Sequence, residues 1–352
     1  MPNKILRESS MRLTLLTTSL VLLSALLGAS GRLAHSAAPY YEGKAIRIIV
    51  GTSPGGGYDT YTRLIARHFS KYIPGNPTII VDNMPGAGGL VSANHLFKVA
   101  KPDGLTIGHF VGGQFLQQLL AKPGIEFDAL KFEYIGVPAQ DNFVLGVAKT
   151  TGITGMEQWL ASKTPVKFGA IAVGDGTYDT AKVAEVALGM PIQVVSGYKG
   201  TAPIRLAFNS GEVAGLSNSW QSFRSTWRKE LETGEVMIVL QLSAKPHRDL
   251  PKVPLAMNLA KTDEARKLIQ AVAQAHGAAV RPYVLPPGTP KDRVGILRKA
   301  FMEAVKDPDL LNEAGKANLE INPGSGEELE RNVRELLRLE PTVVARLKEI
   351  LK

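Results

Sequence analysis

Two glycine-rich segments have the residue types and spacing to bind an anion through main-chain N–H groups. The first covers residues 53–59 and follows a β-rich apolar run at 46–50. The second covers residues 83–89 and follows a similar run at 78–81. Glycine lets N–H groups approach a ligand closely, and a helix N-terminus behind them adds roughly half a positive charge. Because parallel strands would bring both segments to one sheet edge, the spacing predicts a site for a small anion.

Catalytic, metal and nucleotide patterns are missing from the sequence. The six histidines have no paired spacing, no His-Glu-x-x-His is present, and the chain has no cysteine. Residues 86–91 do not match the dinucleotide pattern Gly-x-Gly-x-x-Gly, and no P-loop occurs. Ser325, between two glycines, matches only the centre of a hydrolase elbow and predicts a turn and N-cap before the last helix. The sequence therefore predicts a binding protein without cofactor or metal, and not an enzyme.

The elements that must position these loops alternate between strand-like and helix-like periods. A second unit of strand, glycine-rich loop and helix begins near residue 140, with loops at 174–177 and 197–201. Gly189 is predicted to end a helix, and Thr201 to be the N-cap of the next one. Pro341 should kink or split the apolar-periodic segment 327–351. The pattern predicts an α/β fold of two domains, each a mostly parallel sheet flanked by helices.

Residues 1–37 have the features of a cleaved signal peptide. Lys4, Arg7 and Arg12 precede an apolar run at 13–27, and residues 34–36 form an acceptable cleavage site. A membrane anchor is the alternative, although this run is shorter than the ~20 residues that span a bilayer. Removing the leader lowers the net charge from +9 to +6. That mild excess suits an anionic ligand, and no basic stripe with interleaved aromatics indicates nucleic-acid binding.

The ordered set of motifs resembles the extracytoplasmic solute receptors of tripartite tricarboxylate transporters, the TctC or Bug family. The motifs are Ser-Pro-Gly-Gly-Gly-Tyr-Asp at 53–59, Asn-Met-Pro-Gly-Ala-Gly-Gly at 83–89, Pro-Asp-Gly at 102–104, Tyr-Lys-Gly-Thr-Ala at 198–202, Gly-Glu-Val at 211–213, Arg-Pro at 281–282, Pro-Pro-Gly-Thr-Pro at 286–290 and Asp-Pro at 307–308. Each motif is weak alone, but together they cover nearly the whole chain after the leader.

The resemblance implies a periplasmic, monomeric Venus-flytrap receptor that captures a small di-, tri- or aromatic carboxylate and delivers it to a membrane permease. Residues 43–139 plus 245–352 would form domain 1, and 140–244 domain 2. One ligand carboxylate would lie between the first two loops, and domain 2 would read the far end. The ligand-binding residues carried over from the family are Ser53, Gly56, Gly57, Tyr58, Ala87, Gly88 and Gly89 in domain 1, and Gly176, Thr177, Tyr198, Thr201 and Asn218 in domain 2.

Two departures from the family's common pattern concern the far end of the ligand. Asp175 lies in a loop that is often richer in serine, and Asn218 lies in a segment that often supplies an aspartate. Without that aspartate an amino-acid ligand is disfavoured. Asp175 is predicted to cap the following helix or to face water, since a carboxylate in the cleft would repel an anion. Asp59 is predicted to cap its helix and to order the loop, and Lys199 is predicted to be solvated.

Two other functions stay open from the sequence. The protein could present its ligand to a sensor kinase instead of a permease, because both partners would use the outer surface of the closed form. It could also be an exported α/β enzyme acting on carboxylates, which would need a titrating nucleophile or base in the cleft.

Overall fold

The computed structural model describes residues 39–243, 245–277 and 279–352. The predicted leader at 1–37 lies outside the described residues. Within them, no helix combines the length and the apolar character needed to cross a membrane.

Eleven strands form two sheets in the described residues. The strands are β1 (Ala45–Val50), β2 (Thr78–Asn83), β3 (Thr106–His109), β4 (Glu133–Val137), β5 (Phe143–Ala148), β6 (Val166–Ala170), β7 (Ile192–Ser196), β8 (Gly215–Ser219), β9 (Val236–Leu242), β10 (Tyr283–Leu285) and β11 (Gly324–Ser325). One sheet has the order β11-β4-β10-β3-β1-β2, and the other has the order β7-β6-β8-β5-β9.

Helices cover the faces of both sheets. They are α1 (Gly57–Phe69), α2 (Leu90–Lys98), α3 (Gln114–Leu119), α4 (Met156–Ala161), α5 (Gly176–Leu188), α6 (Thr201–Asn209), α7 (Trp220–Thr226), α8 (Arg228–Glu232), α9 (Ala256–Leu259), α10 (Asp263–Gly277), α11 (Lys291–Ala304), α12 (Pro308–Lys316), α13 (Gly326–Leu336) and α14 (Pro341–Ile350). Short 3₁₀ turns occur between several of them, among them Ala87–Gly89.

The predicted fold of two α/β domains is confirmed, but each sheet is mixed and not mostly parallel. β1 pairs parallel with β2 and β3, and β6 pairs parallel with β7 and β8. In contrast, β10 lies antiparallel between β3 and β4, and β5 lies antiparallel between β8 and β9. The antiparallel strands adjoin segments that pass between the sheets. The strand–loop–helix repeats in the sequence predict only the parallel strands of each sheet.

Local signals at helix ends are confirmed. Pro341 begins α14 and separates it from α13, so the long periodic segment is split in two. Ser325 caps α13 in a capping box with Glu328. Gly189 ends α5 in the left-handed conformation. The N-cap of α6 is Gly200, so the expectation for Thr201 is wrong by one residue.

We call the six-stranded sheet with its helices the first lobe and the five-stranded sheet with its helices the second lobe. The chain passes between the sheets at 138–142, after β4, and again in the segment before β10. In the first lobe α1 and α11 cover a core that includes Tyr61, Phe69 and Phe301. In the second lobe α5 packs against β8 and β7, and α10 packs along α5. The carboxyl ends of β1, β2, β6 and β7 all lead into the predicted loops.

Candidate functional site

The first glycine-rich loop is held by an acidic residue one turn inside α1. Asp59 accepts hydrogen bonds from the N–H of Gly55 (2.9 Å), from Arg63 and from Asn83. Burial opposes ionisation of Asp59, but these hydrogen bonds outweigh it and hold the pKa below its usual value. The prediction that Asp59 orders the loop is confirmed, but the prediction that it caps the helix is wrong, because Gly56 occupies the N-cap position and Asp59 lies in the first turn.

The same loop lies directly against the second lobe. The N–H of Ser53 donates to the carbonyl oxygen of Lys199 (3.1 Å). A Cβ on Gly56 would lie 2.9 Å from Thr201 Oγ1, and a Cβ on Gly57 would overlap Ser222 Oγ. The structure therefore brings Ser53, Gly56 and Thr201 together at the seam between the lobes, with Gly57 beside them.

The second glycine-rich loop needs backbone conformations that favour glycine. Gly88 and Gly89 have φ values of +63° and +90°, in a 3₁₀ turn that leads into α2. The side chain of Gln114 donates to the carbonyl oxygen of Gly88 (2.9 Å) and fixes the turn. A Cβ on Gly88 would lie 3.3 Å from the Cβ of Ala172 in the second lobe. This loop also lies at the seam, and Ala87 at its tip is exposed.

The start of α5 satisfies its own polar groups. Asp175 caps the helix by accepting from the N–H of Thr177 (2.8 Å), which confirms the predicted capping role. The Thr177 hydroxyl donates to Asp175 and accepts from the N–H of Ile171 (2.9 Å). Burial raises the pKa of Asp175 to about 6. Gly176 lies under the ring of Phe143, which a Cβ would overlap. Thr177 thus has its hydroxyl engaged within the second lobe.

The two tyrosines that were predicted to bind the ligand donate their phenol hydrogen bonds to groups within the protein. Tyr58 donates its phenol to the carbonyl oxygen of Val280 (2.5 Å), and Tyr198 donates to Glu212 (2.5 Å). Asn218 is buried and accepts from the N–H of Ser219, and its Nδ2 has no hydrogen-bond partner in the described part of the chain. Lys199 is exposed, as expected.

A buried ion pair that the sequence analysis did not single out lies where the chain passes between the lobes. Arg281 is fully buried, and its guanidinium binds Asp141, Ser219 (2.8 Å) and Ser222 (3.1 Å). It also lies over the ring of Tyr61, with 4.7 Å from Cζ to the ring centroid. Burial opposes the guanidinium charge, but Asp141 more than compensates and raises the pKa of Arg281. The only indication of this ion pair in the sequence was that Arg281 belongs to the Arg-Pro motif at 281–282.

A cavity of about 440 Å³ lies between the lobes beside the second glycine-rich loop. It is lined by Ala87, Leu90, Gln114, Gln117, Lys122, Pro123 and Ile125 of the first lobe, by Ile171, Ala172, Val173, Ser196 and Gly197 of the second, and by Lys352. Of the predicted binding residues, Ala87 lines it. Lys122, Gln114 and Gln117 were missed, since nothing near them in sequence marks a ligand.

Another cavity, of about 540 Å³, is lined by residues such as Asn142, Ser243 and Gln274. It is larger, but none of the predicted binding residues lines it. The cavity beside the second glycine-rich loop is therefore the candidate site, because both lobes and a predicted loop contribute to it.

Comparison with solved structures shows the same fold. Over 88% of this chain, the periplasmic binding protein BugD superposes with a TM-score of 0.72 at 19% identity, covering 98% of BugD. A Rhodopseudomonas palustris protein solved with adipate gives 0.70 at 21% identity, with 88% of this chain and 98% of that one covered. MatC from Rhodopseudomonas palustris, solved with bound malate, gives 0.68 at 19% identity, with 88% and 99% covered.

Sequence comparison extends over almost the same part of the chain. A UPF0065 protein encoded in the gbd 5′ region of Cupriavidus necator is 25% identical over 328 residues, which are 92% of this chain and 94% of the relative. The family model described as the tripartite tricarboxylate transporter family receptor matches residues 62–348. That match runs from within α1 to within α14 and includes both passages between the lobes. The chain belongs to the tripartite tricarboxylate transporter receptor family.

Proposed function

We propose that this protein is an exported periplasmic receptor that captures a small carboxylate between its lobes and delivers it to the permease of a tripartite transporter. The observation that carries the proposal is the cavity of about 440 Å³ that the second glycine-rich loop and the second lobe line together. A ligand in it would contact both lobes at once. Such a ligand stabilises the closed form, because only that form offers both sets of contacts.

The chemistry of the cavity favours an anion. Ala87, at its edge, belongs to a turn whose main-chain N–H groups precede α2, and a helix N-terminus favours negative charge. Lys122 and Lys352 supply cationic side chains, and no acidic side chain lines the cavity in the described part of the chain. The solved relatives bound malate in one case and adipate in another. These observations support a carboxylate, with a dicarboxylate as the first class to test.

The predicted residues along the seam form the second part of the proposal. Ser53, Gly56, Gly57, Gly88, Gly89, Thr201 and Asn218 would complete the ligand site when the lobes separate enough to admit it. Tyr58, Gly176, Thr177 and Tyr198 would act as its walls and supports, because their polar atoms or their packing already serve the fold.

We propose a receptor and not an enzyme because the titratable groups along the seam have structural partners. Asp141 pairs with Arg281, Asp175 caps α5, and His276 lies 3.1 Å from Asp179. None of them is placed as a free acid or base toward the cavity.

We also propose a change to the predicted domain boundaries. The prediction assigned residues after 244 to domain 1, but α10 packs along α5 of the second lobe. The second domain would then continue to about residue 277, where the chain returns to the first sheet.

A thermal-shift screen against mono-, di- and tricarboxylates, aromatic acids and amino acids tests the function. A ligand at a hundred times its dissociation constant adds about 2.7 kcal/mol, which raises the melting temperature by several degrees. The matched variants are Gly88→Asp and Gly88→Asn, which have nearly the same shape and both tolerate a positive φ. Only the aspartate should abolish the shift. If no carboxylate shifts the wild-type protein, or if both variants respond equally, the proposal is wrong.

A further inference from the structure

The cavity between the lobes has two cationic side chains in its lining, Lys122 and Lys352, and an apolar wall. Leu90 and Ile125 of the first lobe and Ile171 and Val173 of the second contribute the apolar surface. Lys122 lies on the segment after α3, and the second glycine-rich loop contributes through Ala87. Two lysines and an anion-binding loop therefore border one cavity, and aliphatic side chains make up much of the rest.

The ammonium group of Lys122 has spare hydrogen-bonding capacity. It donates to the main-chain carbonyl oxygen of Leu351, a neutral acceptor, whereas an ammonium group has three N–H donors. Among acidic groups, Asp179 has the largest electrostatic effect on the Lys122 ammonium group. The oxygens of Asp179 already accept hydrogen bonds within the protein, one from the N–H of Gly174 and the other from Gln117 or His276. Partial burial lowers the pKa of Lys122. A cation that has lost part of its hydration gains more from an anionic partner than a solvated one.

We infer that Lys122 is a specificity-determining residue that binds the distal anionic group of a ligand whose proximal carboxylate lies at the second glycine-rich loop. The inference rests on the proposed function and deepens it. The ligand class is a dicarboxylate with an aliphatic linker, because hydroxyl groups on the linker would lose water against Leu90, Ile125, Ile171 and Val173.

Three ligands of the same chain length separate the parts of the inference in isothermal titration calorimetry of the purified protein. Hexanedioate has both carboxylates, hexanoate lacks the distal one, and galactarate carries hydroxyls on the linker. We expect hexanedioate to bind at least tenfold more tightly than either of the others. Lys122→Met should lower the affinity for hexanedioate about tenfold and leave the affinity for hexanoate within twofold.

Two further variants serve as controls. Lys122→Arg keeps the charge and should retain most of the hexanedioate affinity. Lys101→Met removes an exposed lysine outside the cavity lining and should change nothing. Unaltered melting temperatures of the ligand-free variants show that the fold is intact.

The outcomes distinguish this inference from the proposed function. If Lys122→Met binds hexanedioate as the wild type does, or loses hexanoate equally, Lys122 does not read the distal group. If hexanoate or galactarate binds the wild type as well as hexanedioate, the inference fails while the receptor function stands. If no carboxylate binds the wild type, both proposals fail.

Discussion

Two regions of the seam between the lobes each contain a cationic side chain, but they differ in how far that side chain is buried and in how many partners it has. At the passage between the lobes, Arg281 is fully buried and binds Asp141, Ser219 and Ser222. In the cavity, Lys122 is only half-buried and donates to a carbonyl oxygen. A buried charge that is paired with a carboxylate and with two hydroxyl groups stabilises one arrangement of the chain, whereas a partly exposed charge with spare donors can bind a ligand. We therefore assign the first region to maintenance of the fold, and under the proposed function the second region binds the ligand.

The largest effect is expected at the passage between the lobes. Arg281→Met leaves the carboxylate of Asp141 buried without its partner, and the free energy of unfolding should fall by about 3–5 kcal/mol. Chemical denaturation followed by circular dichroism measures the loss. The double variant Asp141→Asn with Arg281→Met should recover part of it, because no uncompensated charge remains.

An exposed ion pair gives the control for this prediction. Arg228 pairs with Glu232, and both side chains are about 60% exposed. Arg228→Met should change the free energy of unfolding by less than about 0.5 kcal/mol. A loss for Arg281→Met as small as this would contradict the structural role of the buried pair.

The next effect is a pH dependence at the start of α5. Asp175 keeps its proton up to a pKa of about 6 in the folded protein, whereas an aspartate in the unfolded chain loses it near pH 3.9. The folded state then binds more protons between these values, so this group makes stability fall as pH rises from about 4 to about 6. The contribution is about 2–3 kcal/mol, from about 1.4 kcal/mol per pKa unit.

Asp175→Asn should remove that fall, since asparagine also caps helices but does not titrate. Urea denaturation at pH 4, 5, 6 and 7 measures the difference in stability between variant and wild type. Asp307 offers a control in which the pKa shift has the opposite sign. Burial opposes the charge of Asp307, but Lys71 outweighs this effect and lowers the pKa of Asp307 to about 2. Equal slopes of stability against pH for the wild type and Asp175→Asn would rule out the raised pKa of Asp175.

Closure of the lobes should be sensitive to a single methyl group. A Cβ on Gly113 in the first lobe would overlap the carbonyl oxygen of Gly174 and the ring of His276 across the seam. The φ of Gly113 is −57°, which alanine adopts without strain. Gly113→Ala should therefore disfavour the closed form and weaken ligand binding more than tenfold, or about 1.4 kcal/mol.

Calorimetry measures this affinity, and small-angle X-ray scattering should show a larger radius of gyration with ligand present. Gly315→Ala is the matched control, because no atom lies within 4 Å of the added Cβ. Unchanged affinity in Gly113→Ala would mean that binding does not need the seam to close at this point.

Sequence reasoning succeeded where the cause is local. Pro341 splits a helix, Ser325 caps one, and Asp175 caps another through atoms only a few residues away. It failed where partners are distant in sequence. Arg281 meets Asp141 across 140 residues, and Lys122 belongs to a cavity whose other wall comes from the second lobe. The antiparallel insertion of β10 between β3 and β4 was missed for the same reason.

The smallest effect decides to which region of the seam Thr177 belongs. Its hydroxyl accepts from the buried N–H of Ile171, so Thr177→Val should cost about 1–2 kcal/mol of stability and leave ligand affinity within twofold. Thr201 lies opposite Gly56, and Thr201→Val should instead weaken binding with little loss of stability. Urea denaturation and calorimetry on both variants separate these effects. A large loss of affinity in Thr177→Val at unchanged stability would show that the start of α5 binds the ligand and does not serve only to maintain the fold.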